Sequence, residues 1–376
     1  MRIVLAPDSF KGSLSAKEVC DAMAAGIHSV LPEADVIAIP MADGGDGTVE
    51  AMVLATQGKC YTETVQGPLP NQQVEATYGI LGDGVTAVIE MAAASGLDLV
   101  PERALNPRIA TTYGVGELIT AALDQGAETI IIGLGGSATN DGGAGMAQAL
   151  GVKFYDANHK SLKLGGAALS DLETIDVSEL DPRLQQARVI MASDVTNPLT
   201  GRTGATAVFG PQKGADEESQ EVLDAALTRY GEVLRAQVGQ DVSNNPGAGA
   251  GGGIGAGLMA FLGAEVQPGV DVVIRATHLE QRISAADVVF TGEGRIDDQT
   301  QYGKTPQGVA KTAKKYGKPV IVIAGSIDGD VSALYQEGVI SIFGTIKQPG
   351  DLEDVLRNAK HAIQQTSANV TRLLVK

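Results

Sequence analysis

Cysteine is nearly absent from this chain. Only Cys20 and Cys60 occur in 376 residues, which excludes a disulfide-stapled scaffold. Histidine is also scarce: His28, His159, His278 and His361 stand far apart, without metal-ligand spacing. No His sits in a triad context and no G-x-S-x-G elbow appears, so hydrolase chemistry has little to build on. Long apolar runs are missing, and none reaches the ~18 residues read as a membrane span. The opening MRIVLAPDSF turns polar too soon for a signal peptide. A soluble cytoplasmic protein is therefore expected. Positive charge is in deficit, with 28 Lys+Arg against 45 Asp+Glu and a net charge of −17. Such a surface argues against nucleic acid, whose phosphates need Lys and Arg fields. It leaves room for a small polyanion such as ATP, which a few local cations, backbone N–H groups and Mg²⁺ can hold.

Glycine is what the chain has in excess. There are 48, about 13% against a norm of ~7%. They punctuate apolar segments rather than forming polar repeats. The densest case is IIIGLGGSATNDGGAG, residues 130–145, where three isoleucines run into a loop carrying Ser137, Thr139, Asn140 and Asp141. A buried strand followed by glycines lets backbone N–H groups approach a ligand closely. Five further loops share this chemistry: PDSFKGS (7–13), MADGGDGT (41–48), SDVTNPLTG (193–201), PGAGAGGG (246–253) and TGEGRIDDQT (291–300). Together they read as one polar cleft for a phosphorylated, metal-bound ligand.

The apolar pattern organises the chain. Residues 2–6 and 34–40 read as buried parallel strands, separated by a helix that starts at Ser15 with Glu18 in capping-box spacing. CYTETVQGP and QQVEATYGIL alternate as antiparallel strands do. The segments 286–294, 318–326 and 339–345 are compact apolar strands, with helices expected at about 304–316, 329–337 and 351–366. Joined to the opening βαβ unit, they make a five-stranded, doubly wound, flavodoxin-like α/β sheet. The expected division is therefore a discontinuous domain of residues 1–64 and 285–376, with an inserted α/β domain over 65–284. Two domains in simple chain order is the alternative. The length supports two domains, since single cores usually stop growing near ~250–300 residues.

Several motifs admit two readings. Gly133-Leu-Gly135-Gly136-Ser137-Ala138 followed by Asp156 matches a dinucleotide-binding fingerprint on paper. The glycines of 247–252 follow Ser243–Pro246 rather than a strand, so they suggest either an anion-binding loop or close helix packing. Gly303-Lys304-Thr305 lacks the upstream glycine of a P-loop, and Lys304 is then a phosphate ligand or the first turn of a helix. Asp43 and Asp46 suit a divalent cation or a turn, without the calcium-loop pattern. Lys11, between a strand end and a helix start, with Asp8 and Ser9 beside it, suits an anionic group. Arg295 suits a carboxylate gripped in two-pronged fashion. Asp194, Asp297 and Asp298 are the carboxylates expected to bind metal or orient a hydroxyl, and Lys213 is a weaker cationic candidate.

APDSFKGSLSA, PMADGGDGT, GLGGSATNDGGAGM, DVTNPLTG, VFGPQKGA, PGAGAGGGIGAGL and TGEGRIDDQT with GKTPQGVA follow one another between residues 6 and about 310. In that order they resemble the bacterial type 1 glycerate kinases. The resemblance implies ATP-dependent phosphorylation of D-glycerate to 2-phosphoglycerate, with Mg²⁺, on a flavodoxin-like domain carrying a large insert. The choice of the 2-hydroxyl rests on the resemblance alone. The expected mechanism is in-line phosphoryl transfer in an interdomain cleft. Gly135, Gly136, Ser137, Thr139, Asn140, Asp141, Gly249, Gly251 and Gly252 are expected to cradle the nucleotide. Asp194, Asp297 and Asp298 are expected to hold Mg²⁺. Asp8, Ser9, Lys11, Arg295 and Asp297 are expected to bind glycerate, with catalysis by Asp194, Asp298, Lys11 and Arg295. Partners are then ATP and D-glycerate, neither nucleic acid nor membrane, and a second copy of the chain in a homodimer. Two rivals are an NAD(P)-dependent dehydrogenase of a small hydroxy acid and a non-catalytic binding protein for such an acid.

Overall fold

The computed structural model describes residues 1–298, 300, 303–346 and 350–375. Gln299, inside the 291–300 motif, lies outside them. The chain divides into two compact units, one of residues 1–43, 50–57 and 268–376, the other of residues 44–49 and 58–267. The strands run along the chain as β1 (Arg2–Leu5), β2 (Asp35–Ala38), β3 (Lys59–Gln66), β4 (Gln73–Ile80), β5 (Thr86–Glu90), β6 (Thr129–Gly133) and β7 (Lys153–Tyr155). They continue as β8 (Thr174–Asp176), β9 (Arg188–Ala192), β10 (Glu265–Gln267), β11 (Val288–Ile296), β12 (Val320–Ile327) and β13 (Val339–Gly344).

In the first unit five strands lie in the order β13-β12-β11-β1-β2, and every neighbour pair is parallel. Parallel strands covered on both faces need apolar residues at consecutive positions, which Ile3, Val4 and Leu5, all fully buried, supply. Ile3, Leu5, Val288, Phe290, Ile321 and Ile323 share one core with Val19, Met23 and Ile27 of the helix Ala16–His28 and Ile363 and Val370 of the helix Ala359–Leu374. The first of those helices begins as its sequence dictates. Ser15 Oγ accepts from Glu18 N at 3.3 Å and Glu18 Oε2 accepts from Ser15 N at 2.9 Å, so two otherwise orphaned donors are satisfied.

In the second unit six strands lie in the order β10-β9-β6-β5-β4-β3. The β3–β4 and β4–β5 pairs are antiparallel and the remaining pairs are parallel. The alternation at residues 59–80 is the sequence image of the antiparallel edge, and the unbroken isoleucines of β6 mark its parallel centre. β7 and β8 form a separate antiparallel pair.

Three expectations need correction. Residues 44–49 and 58–64, expected with the first domain, belong to the second unit, where Lys59–Gln66 is the edge strand of the six-stranded sheet. Residues 268–284, expected with the insert, form the helices Gly269–Ala276 and Leu279–Ser284 and belong to the first unit. Their apolar faces pack on the helix Thr305–Lys314, where Val270 leaves no space for a Cβ on Gly308. The helix expected at 351–366 is two helices, Leu352–Arg357 and Ala359–Leu374. They part at Asn358, whose Nδ2 donates to Asp354 O at 2.8 Å, an instance of side-chain competition with the helical ladder.

Candidate active site

Pairing of β1 with β11 builds a charged site at their carboxyl ends. The chain leaves β1 at Ala6, whose carbonyl accepts from Thr291 Oγ1 at 2.7 Å. Asp8 N then donates to Gly292 O at 2.8 Å. Those bonds carry Asp8 alongside the second half of β11, where Glu293 stands. The helix Thr305–Lys314 contributes from its start: Thr305 Oγ1 donates to Asp8 Oδ2 at 2.5 Å. Glu293 Oε1 accepts from Thr300 Oγ1 at 2.9 Å. Lys304 Nζ lies 3.6 Å from Glu293 Oε1 and 3.6 Å from Asp297 Oδ1.

Asp8 and Glu293 are both buried. Burial raises the Asp8 carboxyl to about 6, with the charge of Asp43 raising it further against the hydrogen bond from Thr305. Burial raises Glu293 to about 7, although Lys304 pulls the other way. Asp8 and Asp43 both add to that rise. Three carboxylates thus repel one another in one place, and the buried Asp8 and Glu293 prefer a proton or an added cation to their bare charge.

A cavity of about 870 Å³ opens on this cluster, lined there by Asp8, Asp43, Glu293, Lys11, Arg295 and Lys304. Ser9 lines it as well. Among the residues expected to bind glycerate, Asp8, Ser9, Lys11 and Arg295 therefore meet. Arg295 is exposed and ion-paired to Asp328 at 2.7 Å and to Asp297 at 3.4 Å. Asp297 is half-buried between Arg295 and Lys304 rather than on the cavity wall. Asp298 is exposed and accepts from Asp330 N at 2.6 Å, the work of a loop clamp. Asp194 is exposed in the loop after β9, in the second unit. Among the described residues, no group of three or more Asp, Glu, His or Cys could hold a metal ion.

The glycine-dense loop after β6 turns its polar side chains inward. Thr139, Asn140 and Asp141 have no solvent-accessible surface. Asp141 accepts from Thr112 N at 2.9 Å, Gly143 N at 3.1 Å, Gly145 N at 3.2 Å and Thr112 Oγ1 at 2.9 Å. Burial nevertheless raises its pKa. Asn140 Nδ2 donates to Thr206 Oγ1 at 2.9 Å. The second glycine run lies against the first, with Gly142 N donating to Gly252 O at 3.1 Å. A Cβ on Gly252 would stand 1.9 Å from Thr139 O, and its φ of +77° is one that side chains avoid. One on Gly249 would stand 2.2 Å from Pro198 O, and one on Gly251 would meet Ile254 and Met91. The close-packing reading of 247–252 accounts for these glycines. Of the nucleotide-cradle residues, Gly135 and Gly136 keep exposed backbone, while Ser137, Thr139, Asn140, Asp141, Gly249 and Gly252 are buried.

Ser137 has an unforeseen partner. Lys213 is buried, and its Nζ donates to Ser137 Oγ at 2.8 Å and to Thr139 O at 2.6 Å. Burial lowers its pKa from the ordinary 10.5 to about 7, opposed by the charge of Asp141. Unfolded chain keeps this proton up to about pH 10.5, whereas folded chain releases it near 7. Between those values the unfolded state binds more protons, so stability should climb with pH by up to about 1.4 kcal/mol per unit. Lys213→Met should lose that climb, seen as a wild-type-minus-mutant Tm difference that widens from pH 7 to 9.5. A constant difference would show that the amine stays charged in the fold.

Sequence reasoning passed over Glu293 and left Lys304 and Asp43 undecided. The signal for Glu293 was its place at the end of an apolar strand beside Gly292 and Gly294. His361, set aside in the sequence for want of metal-ligand spacing, also lines the cavity. The dinucleotide fingerprint fails in context. Asp156 follows β7, which forms a two-stranded sheet with β8, and the Asp156 Oδ1 holds the turn by accepting from Asn158 N and Lys160 N.

Comparison with known proteins places the chain in a family. A model of the glycerate kinase family matches residues 3–375. The glycerate 2-kinase of Escherichia coli (strain K12) is 52% identical over 374 residues, covering 100% of this chain and 98% of that protein. The glycerate kinase of Bacillus subtilis (strain 168) is 51% identical over 370 residues, covering 98% and 97%. A crystal structure described as that of a "putative glycerate kinase 2" from Salmonella typhimurium LT2 matches with a TM-score of 0.90 at 51% identity, over 100% of this chain and 98% of that one.

Proposed function

The chain belongs to the glycerate kinase family, and from that premise we propose that the Asp8–Glu293–Lys304 cluster of the first unit performs its phosphoryl transfer. The protein is a glycerate kinase, a phosphotransferase that uses ATP with an alcohol group as acceptor. The dehydrogenase and binding-protein readings have no support. The name of the Escherichia coli relative, at 52% identity, supports transfer to the 2-hydroxyl of D-glycerate.

The observation that carries the site is a buried carboxylate, Glu293, raised to about 7 and 3.6 Å from Lys304, on the wall of a large cavity. A general base works best with a pKa near the operating pH. Glu293 takes the proton of the glycerate 2-hydroxyl as that oxygen bonds to the γ-phosphorus. The bond from the γ-phosphorus to the bridging oxygen breaks, and ADP departs. Lys304 offsets charge on the transferring group, while Lys11 and Arg295 bind the glycerate carboxylate. Asp8 is held at both oxygens, by Ser9 N at 2.6 Å and by Thr305 Oγ1, so its orientation is set in advance.

Mg²⁺ suits these residues. The mutual repulsion of Asp8, Asp43 and Glu293 is a deficit of positive charge, and Mg²⁺ is usually bound by one or two carboxylates together with substrate phosphates. Asp8 and Asp43 would hold it, and its chemistry would be neutralisation of phosphate charge. Asp194, Asp297 and Asp298 give way to them in this reading. The exposed backbone of Gly135 and Gly136 is the part of the β6 loop left for an anion. The order β2-β1-β11-β12-β13 supports a flavodoxin-like reading of the first unit, with the second unit as its insert. No helix among the described residues is long and apolar enough to cross a membrane.

The test is direct. Purified protein with ATP, Mg²⁺ and D-glycerate should yield 2-phosphoglycerate and ADP by ³¹P and ¹H NMR. Formation of 3-phosphoglycerate would overturn the regiochemistry, and turnover undiminished by chelation would remove Mg²⁺.

A further inference from the structure

The cavity is chemically divided. One part of its lining is the carboxylates and cations already described. Another is a wall formed by Ile346 after β13, by Leu352, Val355 and Leu356 of the helix Leu352–Arg357, and by Ala359 and Ala362 at the start of the last helix. The aliphatic side chains of this wall, set among Asp354, Asn358, His361 and Gln365, are poorly covered. Leu352 is 72% exposed and Ile346 46%, and the helix Leu352–Arg357 buries none of its residues. The short helix is nonetheless held in place, since Ser13 Oγ donates to Leu356 O at 2.8 Å. Large exposed apolar side chains facing a cavity mark a surface that a ligand covers.

The reactants decide which ligand. Glycerate bears oxygen on each of its three carbons and offers no apolar face. ATP carries a flat base at one end and a polyanion at the other. That matches a cavity whose lining combines aliphatic side chains with Lys304, the cation not engaged by the glycerate carboxylate. At about 870 Å³ the cavity also exceeds what a three-carbon acid fills, and lies in the range of ~300–1,000 Å³ typical of pockets for drug-sized ligands. We propose that the adenine base of ATP docks on the wall formed by Ile346, Leu352, Val355 and Leu356, with its phosphates toward Lys304. This rests on the cluster of Asp8, Glu293 and Lys304 being the transfer site. It places the base in the first unit rather than on the glycine runs of the second.

Two measurements test it. Leu352→Asp and Val355→Asp put a charge against the base at positions where the fold has little to lose. Each should raise KM for ATP about tenfold or more, the effect of ~1.4 kcal/mol, with KM for glycerate unchanged. Leu373→Asp, 61% exposed and off the cavity wall, should behave as wild type. Photolabelling with 8-azido-ATP should mark peptides spanning 350–362. An unchanged KM for ATP in both variants, or label confined to 133–145 or 247–253, overturns the base site while leaving phosphoglycerate formation intact. Full turnover in Glu293→Gln would instead overturn the transfer site beneath it.

Discussion

Glu293→Gln should cut turnover by about 10²–10⁴, the usual share of a general base, and at the same time make the protein more stable at pH 8. The two effects have one cause. Glu293 is buried and its carboxyl is raised from 4.5 to about 7, so the fold holds it more easily with a proton than without. Below pH 4.5 both folded and unfolded chains carry the proton. Between 4.5 and 7 only the folded chain keeps it, so stability falls as pH rises through this window. Above 7 the ionised group burdens the fold by up to about 3 kcal/mol. Gln is neutral at every pH and retains an oxygen for the Thr300 hydroxyl, so the burden disappears. Catalysis moves the opposite way, because only the ionised carboxylate takes a proton. Wild-type kcat/KM should fall as pH drops below about 7, and the residual rate of the variant should lack that inflection. Steady-state rates and Tm from pH 5 to 9 measure both. A variant that is fast, or one destabilised equally at all pH values, would strip Glu293 of the role.

Asp141→Ala should destabilise the second unit by about 3–5 kcal/mol, the cost of leaving a buried polar network without its anchor. Three backbone N–H groups, of Thr112, Gly143 and Gly145, and the Thr112 hydroxyl all end on this carboxylate. Alanine supplies no acceptor, and no water reaches a site without accessible surface. Asp141→Asn should fall between, since it keeps one oxygen but turns an NH₂ toward donors. Urea unfolding reads the loss, and nucleotide kinetics on the folded fraction give the control. Near-native stability of Asp141→Ala with a raised KM for ATP would return Asp141 to nucleotide contact. The expected outcome separates two uses of a glycine-rich loop that look alike in sequence. At Gly252 the missing Cβ admits Thr139 O rather than a phosphate.

Residue periodicity and local chemistry determined much of this protein. The run RIVL, the capping box of Ser15 and Glu18, the alternating pair at 59–80 and the isoleucines of β6 each depend on neighbours a few positions away. Such interactions are readable because they are short-range. The loops carrying Lys11, Asp43, Arg295 and Lys304 also announced polar chemistry through their composition, and the resemblance of seven motifs pointed to the family. Tertiary structure alone decided which residues share a site. Asp8 meets Glu293 because β1 pairs with β11, a contact between Ala6 and Thr291 that spans 285 positions. No local pattern encodes that distance. Nor does any local pattern say whether Thr139, Asn140 and Asp141 face solvent, because the backbone of residues 249–253 covers them from more than a hundred positions away. Burial is a property of the whole packing, and with it come the raised carboxyls of Asp8 and Glu293 and the lowered amine of Lys213.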